Sequence, residues 1–357
     1  MNSRNFLRGA HLRWEGGGRV VVFLFSLLIG FGLFIWVINF VGWQEIKNAF
    51  LVFRSWKGIV ILLLTFLIMF MRNWTWREVI REKNIEISFW ELFKIYLAGF
   101  SIRFLAPVLT LGDEIYQSYA LKKRNSISWT RGMATVVIER ILEWTVNLLV
   151  IFFGVLLFLF RIGLPPKNLA IILGGGFLIF FAGLFLFYFK TLKRESILKP
   201  FIKIFNHRPS PAPRGEVGDE AKPQRPLDSE PLEIEKEIFG FFELKKKSMW
   251  KCFGHSFLRM LLTYFRTLLL IIFFRQYLPL LSVFSILGFS YLATMFPIPT
   301  ALGIHEAVQV FAFNALGLGS SVAAAFTMII RGAELIVSLI GVMFLFRSGT
   351  SIFKNEI

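Results

Sequence analysis

The chain has 357 residues, 55% of them hydrophobic and 43 of them Phe, with a mean hydropathy of +0.63. Soluble domains run nearer 45–50% apolar, so a water-soluble globule is excluded as the whole account. The 40 Lys+Arg against 23 Asp+Glu leave a formal charge of +17, a balance that suits either nucleic acid or a membrane surface.

The first apolar run, "VVVFLFSLLIGFGLFIWVINFV" from Val20 to Val41, is long enough for a hydrocarbon core of about 30 Å. It lacks the short apolar core and small-residue cleavage site of a signal peptide, so it is read as a span. Arg4, Arg8, Arg13 and Arg19 precede it and place the N-terminus in the cytoplasm. Further full spans are predicted near 56–73, 132–157, 168–189, 252–275 and 321–346, which returns the C-terminus to the cytoplasm. On that topology cytoplasmic segments collect 29 basic residues and external ones 6. The charge is thus mainly an orientation signal and an attraction to anionic lipid, and no nucleic-acid partner is expected. Trp129 to Phe160 as one helix would measure about 48 Å, so its first turns are expected to stand in the cytoplasm or the helix to tilt.

Between the spans at 168–189 and 252–275 lies a cytoplasmic linker, 191–249. Its stretch "NHRPSPAPRGEVGDEAKPQRPLDSEPLE", Asn206 to Glu233, has too few large apolar residues to fold and is expected to be disordered. It divides a membrane half at 1–190 from another at 250–357. Cys252 is the only cysteine, so no internal disulfide is possible.

Two apolar stretches do not fit as spans. One is "ELFKIYLAGFSIRFLAPVLTLGDE", Glu91 to Glu114, with basic loops on both sides. The other is Leu281 to Glu306, which ends in "FPIPTALGIHE". Both contain proline, and interrupted backbone at membrane depth survives only inside protein or beside a wet cavity. Both are read as re-entrant segments, with tips at Pro107 and Pro299. The two segments also resemble each other: each has Gly-Phe-Ser, an apolar turn, proline, then Leu-Gly before an acidic residue. From Gly112 to Arg140 is 28 positions, and from Gly303 to Arg331 is 28 again. The predicted fold is therefore an all-α polytopic membrane protein of about six full spans plus two re-entrant segments, arranged as an inverted repeat. Such repeats bind substrate near the midplane in transporters.

Charges inside the apolar runs mark the candidate site. Arg140 and Glu143 are three apart on one helical face, as are Arg331 and Glu334, and each pair is expected to form an ion pair. The arginines are expected either to lock packing or to meet an anionic headgroup. Arg266 lies too deep in its span to reach water and is expected to line a cavity. Arg259, seven residues earlier, is expected to snorkel toward the cytoplasm. Arg103 precedes the first tip. Gly112 and Gly303 allow close backbone turns, and helix N-termini at the breaks suit phosphate or carboxylate. Glu114 and Glu306 have three open roles: neutralising a cationic group, pairing with the arginines, or carrying a proton. His305 is read as a structural residue. No cofactor and no metal are expected, since no HExxH, ligand cluster or phosphate-cradling GxGxxG occurs.

The two signatures "RFLAPVLTLGDEIYQSYALKKR…ERILEW" and "PIPTALGIHEAVQVFAFNALGLGSSVAAAFTMIIRGAE" resemble the membrane region of lysylphosphatidylglycerol synthases and related flippase-like proteins. The resemblance covers nearly the whole chain. That family commonly carries Pro-x-Pro-Gly-Gly-Leu-Gly-x-x-Glu, of which this chain keeps Pro297, Pro299, Leu302, Gly303 and Glu306. It departs at Thr300-Ala301, where two glycines are usual, and at His305, where arginine is frequent. The first half likewise has Thr110-Leu111 before Gly112-Asp113. The resemblance implies translocation of an anionic lipid, phospho- or polyprenyl-linked. Aminoacyl transfer in that family resides in a separate soluble domain, and with Ile357 eleven residues past the last span it is not expected here. Two other functions stand beside the flippase: a non-transporting partner of a lipid-modifying or glycosyltransferase system, and an intramembrane lipid-linked transferase using Glu114 and Glu306.

Overall fold

A computed structural model describes residues 55–105, 111–125, 127–163, 167–193, 195–196, 229–243, 246–294 and 301–354. Among these residues every regular element is a helix: α1 Trp56–Glu82, α2 Phe89–Leu105, α3 Gly112–Asn125, α4 Trp129–Ile162, α5 Lys167–Lys193, α6 Ser229–Phe241, α7 Lys247–Phe273, α8 Leu280–Thr294, α9 Ala301–Ala315 and α10 Ser320–Lys354. The predicted span at 20–41 and the proline tips at 107 and 299 lie outside the described residues.

Local chemistry sets the helix ends. At the start of α4 the Arg131 amide donates to the Ser128 hydroxyl at 3.4 Å, an N-cap in extended backbone. The same helix stops at Gly163, whose φ of 95° is open to a residue without Cβ and whose N–H donates to the Leu159 carbonyl. Between α9 and α10, Gly317 at φ 80° lets the Leu318 N–H reach back 2.9 Å to the Phe313 carbonyl. At the end of α1, Asn84 takes φ 57° and the Ile85 N–H reaches the Ile80 carbonyl. Asn tolerates this left-handed conformation better than most residues.

Five helical segments are long and apolar enough to cross a membrane: Trp56–Glu82, Trp129–Ile162, Gly174–Thr191, Lys247–Phe273 and Ser320–Phe346. They fall on the five predicted spans that the described residues cover, so the chain is an all-α, multi-pass membrane protein. The 34 residues of α4 form one continuous helix, about 51 Å at 1.5 Å per residue. By contrast α2 has 17 residues and α8 has 15, about 25 and 22 Å, each short of the hydrocarbon thickness. Each is followed, after a short connection, by a second helix, α3 or α9.

The chain divides into two compact units. The larger comprises Leu64–Tyr96 and Glu114–Leu292. Its centre is α4, against which α7 and α6 pack. Ile138 and Leu142 of α4 meet Val79, Phe241, Phe242 and Cys252 in one buried cluster. The Trp76 indole donates to the Thr135 hydroxyl at 3.3 Å. Further along, α4 and α8 approach so closely that a Cβ on Gly288 would stand 2.9 Å from the Gly154 Cα. Small residues at helix crossings permit this contact, which drives association where lipid removes the hydrophobic incentive.

Helix α6 corrects the expectation of disorder as far as Glu233, since the chain is helical from Ser229 onward. Ile234, Ile238, Phe239 and Phe241 bury against α4 and α7, and the Lys83 ammonium donates to the Glu237 carbonyl at 2.8 Å and to its carboxylate. The apolar residues spaced three and four apart supply a burial face that proline-rich sequence before them lacks.

The smaller unit comprises Met1–Leu63, Leu97–Asp113 and Ala293–Ile357. Within it the end of α2 crosses α10: the Ser101 hydroxyl donates to the Ser338 carbonyl at 2.6 Å. Gly341 faces the Leu97 carbonyl and the Ser101 hydroxyl with no space for a Cβ. Helices α9 and α10 pack through Phe313 and Phe326, ring centroids 5.1 Å apart.

Candidate functional site

Helix α4 carries Glu139, Glu143 and Asn147 at successive i+4 positions, a polar stripe on an otherwise apolar helix. Three neighbouring helices answer it with cations and a carboxylate. From α1, the Arg72 guanidinium pairs with Glu139 at 3.0 Å and also with Glu143. From α7, Arg259 pairs with Glu143 at 3.2 Å and donates to the Asn147 side-chain carbonyl at 3.3 Å. Arg140 of α4 itself pairs with Glu143 at 3.0 Å and with Glu114 of α3 at 2.8 Å. Among the described residues, three guanidinium groups and three carboxylates are thereby held in one network inside the larger unit. Arg72, Glu114, Glu139 and Arg259 are all buried, so each charge depends on its partners for the solvation it has lost.

The expected Arg140–Glu143 pair is therefore present, and Glu114 joins it. Arg259 is corrected: it is buried and bonded within the network and does not snorkel. The reason is that Glu143 and Asn147 sit one turn apart opposite it, which gives the guanidinium a destination inside the protein. Arg266, seven residues further along α7, is buried and donates to the Thr65 hydroxyl at 3.1 Å.

In the smaller unit, Arg103 pairs with the buried Asp113 at 3.4 Å and lies over the Phe100 ring. Gly112 opens α3. Gly303 and Glu306 belong to α9, but the Glu306 side chain is outside the described residues. Arg331 sits half-buried on α10, close enough to His305 of α9 to act on it electrostatically. Its Nη2 is buried with no hydrogen-bond partner, and among the described residues no carboxylate pairs with it. The expected Arg331–Glu334 pair is thus not formed. Spacing alone does not close such a pair when the cation precedes the anion, the weaker orientation on a helix. Glu143 closes on Arg140 because Arg72 and Arg259 hold it in place from two other helices.

The sequence pattern described as the lysylphosphatidylglycerol synthase TM region matches residues 23–341. The chain belongs to that family. The matched stretch of the lysylphosphatidylglycerol synthase TM region contains every residue of the network and also Arg103, Arg266, Gly303, Glu306, Arg331 and Glu334. A UPF0104 membrane protein of Pyrococcus horikoshii is 25% identical over 258 residues, 72% of this chain and 76% of that protein. A second UPF0104 membrane protein, from Methanocaldococcus jannaschii, is 24% identical over 122 residues, 34% of this chain and 36% of its own. No solved structure matches.

Arg72, Glu139 and Asn147 escaped the sequence reading. Arg72 stands at the edge of its predicted span, where a basic residue reads as an interface anchor. Glu139, Glu143 and Asn147 carried a signal: three polar residues at i, i+4 and i+8 in an apolar helix require partners on a neighbour.

Proposed function

We propose that this member of the lysylphosphatidylglycerol synthase TM region family carries an anionic lipid, phospho- or polyprenyl-linked, across the cytoplasmic membrane, with both termini on the cytoplasmic side. The observation that supports this most is Arg331. A guanidinium in an apolar helix, partly buried and without a carboxylate among the described residues, is costly unless something anionic joins it. A phosphate headgroup supplies that charge and accepts paired N–H bonds from the planar fork. His305 and the helix breaks before Gly112 and Gly303 stand in the same reading as the polar surroundings of the headgroup. Arg140 already has Glu114 and Glu143, so its part in the cycle is to hold α3 against α4 and to meet headgroup only by exchanging one of these carboxylates. The two helix–break–helix segments are the halves of an inverted repeat in this reading, with no covalent chemistry assigned to Glu114 or Glu306.

Liposome reconstitution with labelled phosphatidylglycerol and with a polyprenyl-phosphate analogue tests the proposal. Wild-type protein is expected to move at least one of these lipids between leaflets faster than empty vesicles. Arg331→Ala is expected to abolish the excess rate, and Arg331→Lys to keep part of it. Rates equal to those of empty vesicles for both lipids would leave the non-transporting partner of a lipid-modifying or glycan-assembly system as the better reading.

A further inference from the structure

A second basic feature, not used by the network, begins five residues beyond Arg72 on α1. A cavity of about 590 Å³ opens where α1 gives way to α2, lined by Arg77, Arg81 and residues 84–88, Glu86 and Ser88 among them. Asn84 in its left-handed conformation turns the chain there, so Arg77 and Arg81 of α1 and the connection 84–88 border one hollow. Among the described residues neither Arg77 nor Arg81 has a carboxylate within ion-pair distance, although Glu86 shares the lining. The Nε of Arg77 is buried without a hydrogen-bond partner, and its guanidinium lies 5.8 Å from the centre of the Phe89 ring. Ser88, at the edge of the cavity, caps α2 by accepting from the Glu91 amide at 3.2 Å.

Beside the cavity is an aromatic cluster. Phe70 and Phe89 ring centroids are 4.4 Å apart, Phe89 and Trp90 5.5 Å, and Trp74 and Phe89 6.2 Å. Trp90 and Trp74 are nonetheless 63% and 40% exposed. Tryptophan with an apolar body and one N–H settles at the boundary between headgroups and acyl chains. The cavity therefore sits where a lipid's phosphate would lie, with the exposed indoles at the level of its glycerol and upper acyl chains. We propose that this cavity is a docking site for an anionic phospholipid of the leaflet that faces the basic loops, its phosphate held by Arg77 and Arg81 and its chains against Trp74 and Trp90. The site stands independently of the transport reading, since it uses none of the residues assigned there.

The test uses full-length protein carrying Arg331→Ala, so that headgroup binding at Arg331 does not contribute. Purified in neutral detergent, it is titrated with fluorescent phosphatidylglycerol and, for comparison, phosphatidylcholine. Phosphatidylglycerol is expected to bind and phosphatidylcholine not to compete. Arg77→Gln with Arg81→Gln is expected to weaken binding about tenfold or more, as loss of charge-assisted bonds implies. Arg81→Gln alone, at an exposed position, is expected to weaken it about fivefold and serves if the double variant fails to fold. Arg131→Gln, which removes an exposed cation paired with Glu237 outside the cavity, is expected to change nothing. Unchanged affinity in Arg81→Gln overturns the proposal. So does equal binding of phosphatidylcholine, or displacement by an equal concentration of inorganic phosphate, which would mark a soluble-anion site.

Discussion

Glu143 accepts from guanidinium groups on three helices, while Glu334 closes on none among the described residues. The difference is one of surroundings, since both glutamates follow an arginine by three residues. Glu143→Gln is therefore expected to be among the most damaging single changes in the protein. It removes one of three negative charges and leaves three buried guanidinium groups with two, a situation that typically costs about 3–5 kcal/mol. Thermal unfolding in detergent checks this. The midpoint of Glu143→Gln is expected to fall well below that of wild type, whereas Arg331→Ala is expected to match wild type or exceed it, because a partly buried cation with no carboxylate partner among the described residues is relieved. At this scale the sequence was legible where both partners lay on one helix, as with Arg140 and Glu143. Arg72 and Arg259 were not, because their carboxylates are 71 and 116 positions away and helical periodicity carries no information between helices.

Helices that cross through glycine have no side chain to yield when one is enlarged. Gly288→Leu would place a Cβ 2.9 Å from the Gly154 Cα and a branched side chain beyond it, against backbone that cannot rotate away. Gly341→Ala would meet the Leu97 carbonyl and the Ser101 hydroxyl together. Each is expected to destabilise by at least about 1–3 kcal/mol, the usual range for overpacking. The control is Gly254→Ala in α7, where a Cβ meets nothing within 4 Å. It is expected to hold or gain up to about 1 kcal/mol from helix propensity. Melting temperatures of the three variants in the same detergent compare them. The spans were legible because about 20 apolar residues in a row have few other uses. The short lengths of α2 and α8 were legible from proline and charge. The start of helix α6 was missed because Ser229 to Glu233 close a 28-residue polar window, while the apolar face that anchors the 13-residue helix begins beyond it at Ile234.

For the molecule as a whole, the proposed orientation rests on where the basic residues cluster. Cys252 is the single cysteine and is buried, so Cys252→Ala gives a cysteine-free background. In it, Tyr277→Cys and Lys123→Cys place thiols at exposed positions on opposite sides of the predicted topology. A membrane-impermeant thiol reagent added to intact cells is expected to label the first and spare the second; the reverse pattern would invert the assignment of the termini. The relation between chain halves was the least legible level, since equal spacings of 28 residues describe order along the chain and not placement in space.

The six charges gathered on α1, α3, α4 and α7 also have an electrical consequence. A lone elementary charge displaced through a membrane potential of about 100 mV exchanges about 2.3 kcal/mol with the field. Three positive and three negative groups moving together exchange none. Moving as one body, that cluster therefore carries Arg72, Arg140 and Arg259 without sensing voltage, and a voltage dependence of the protein would originate outside it, at groups such as the buried Arg266.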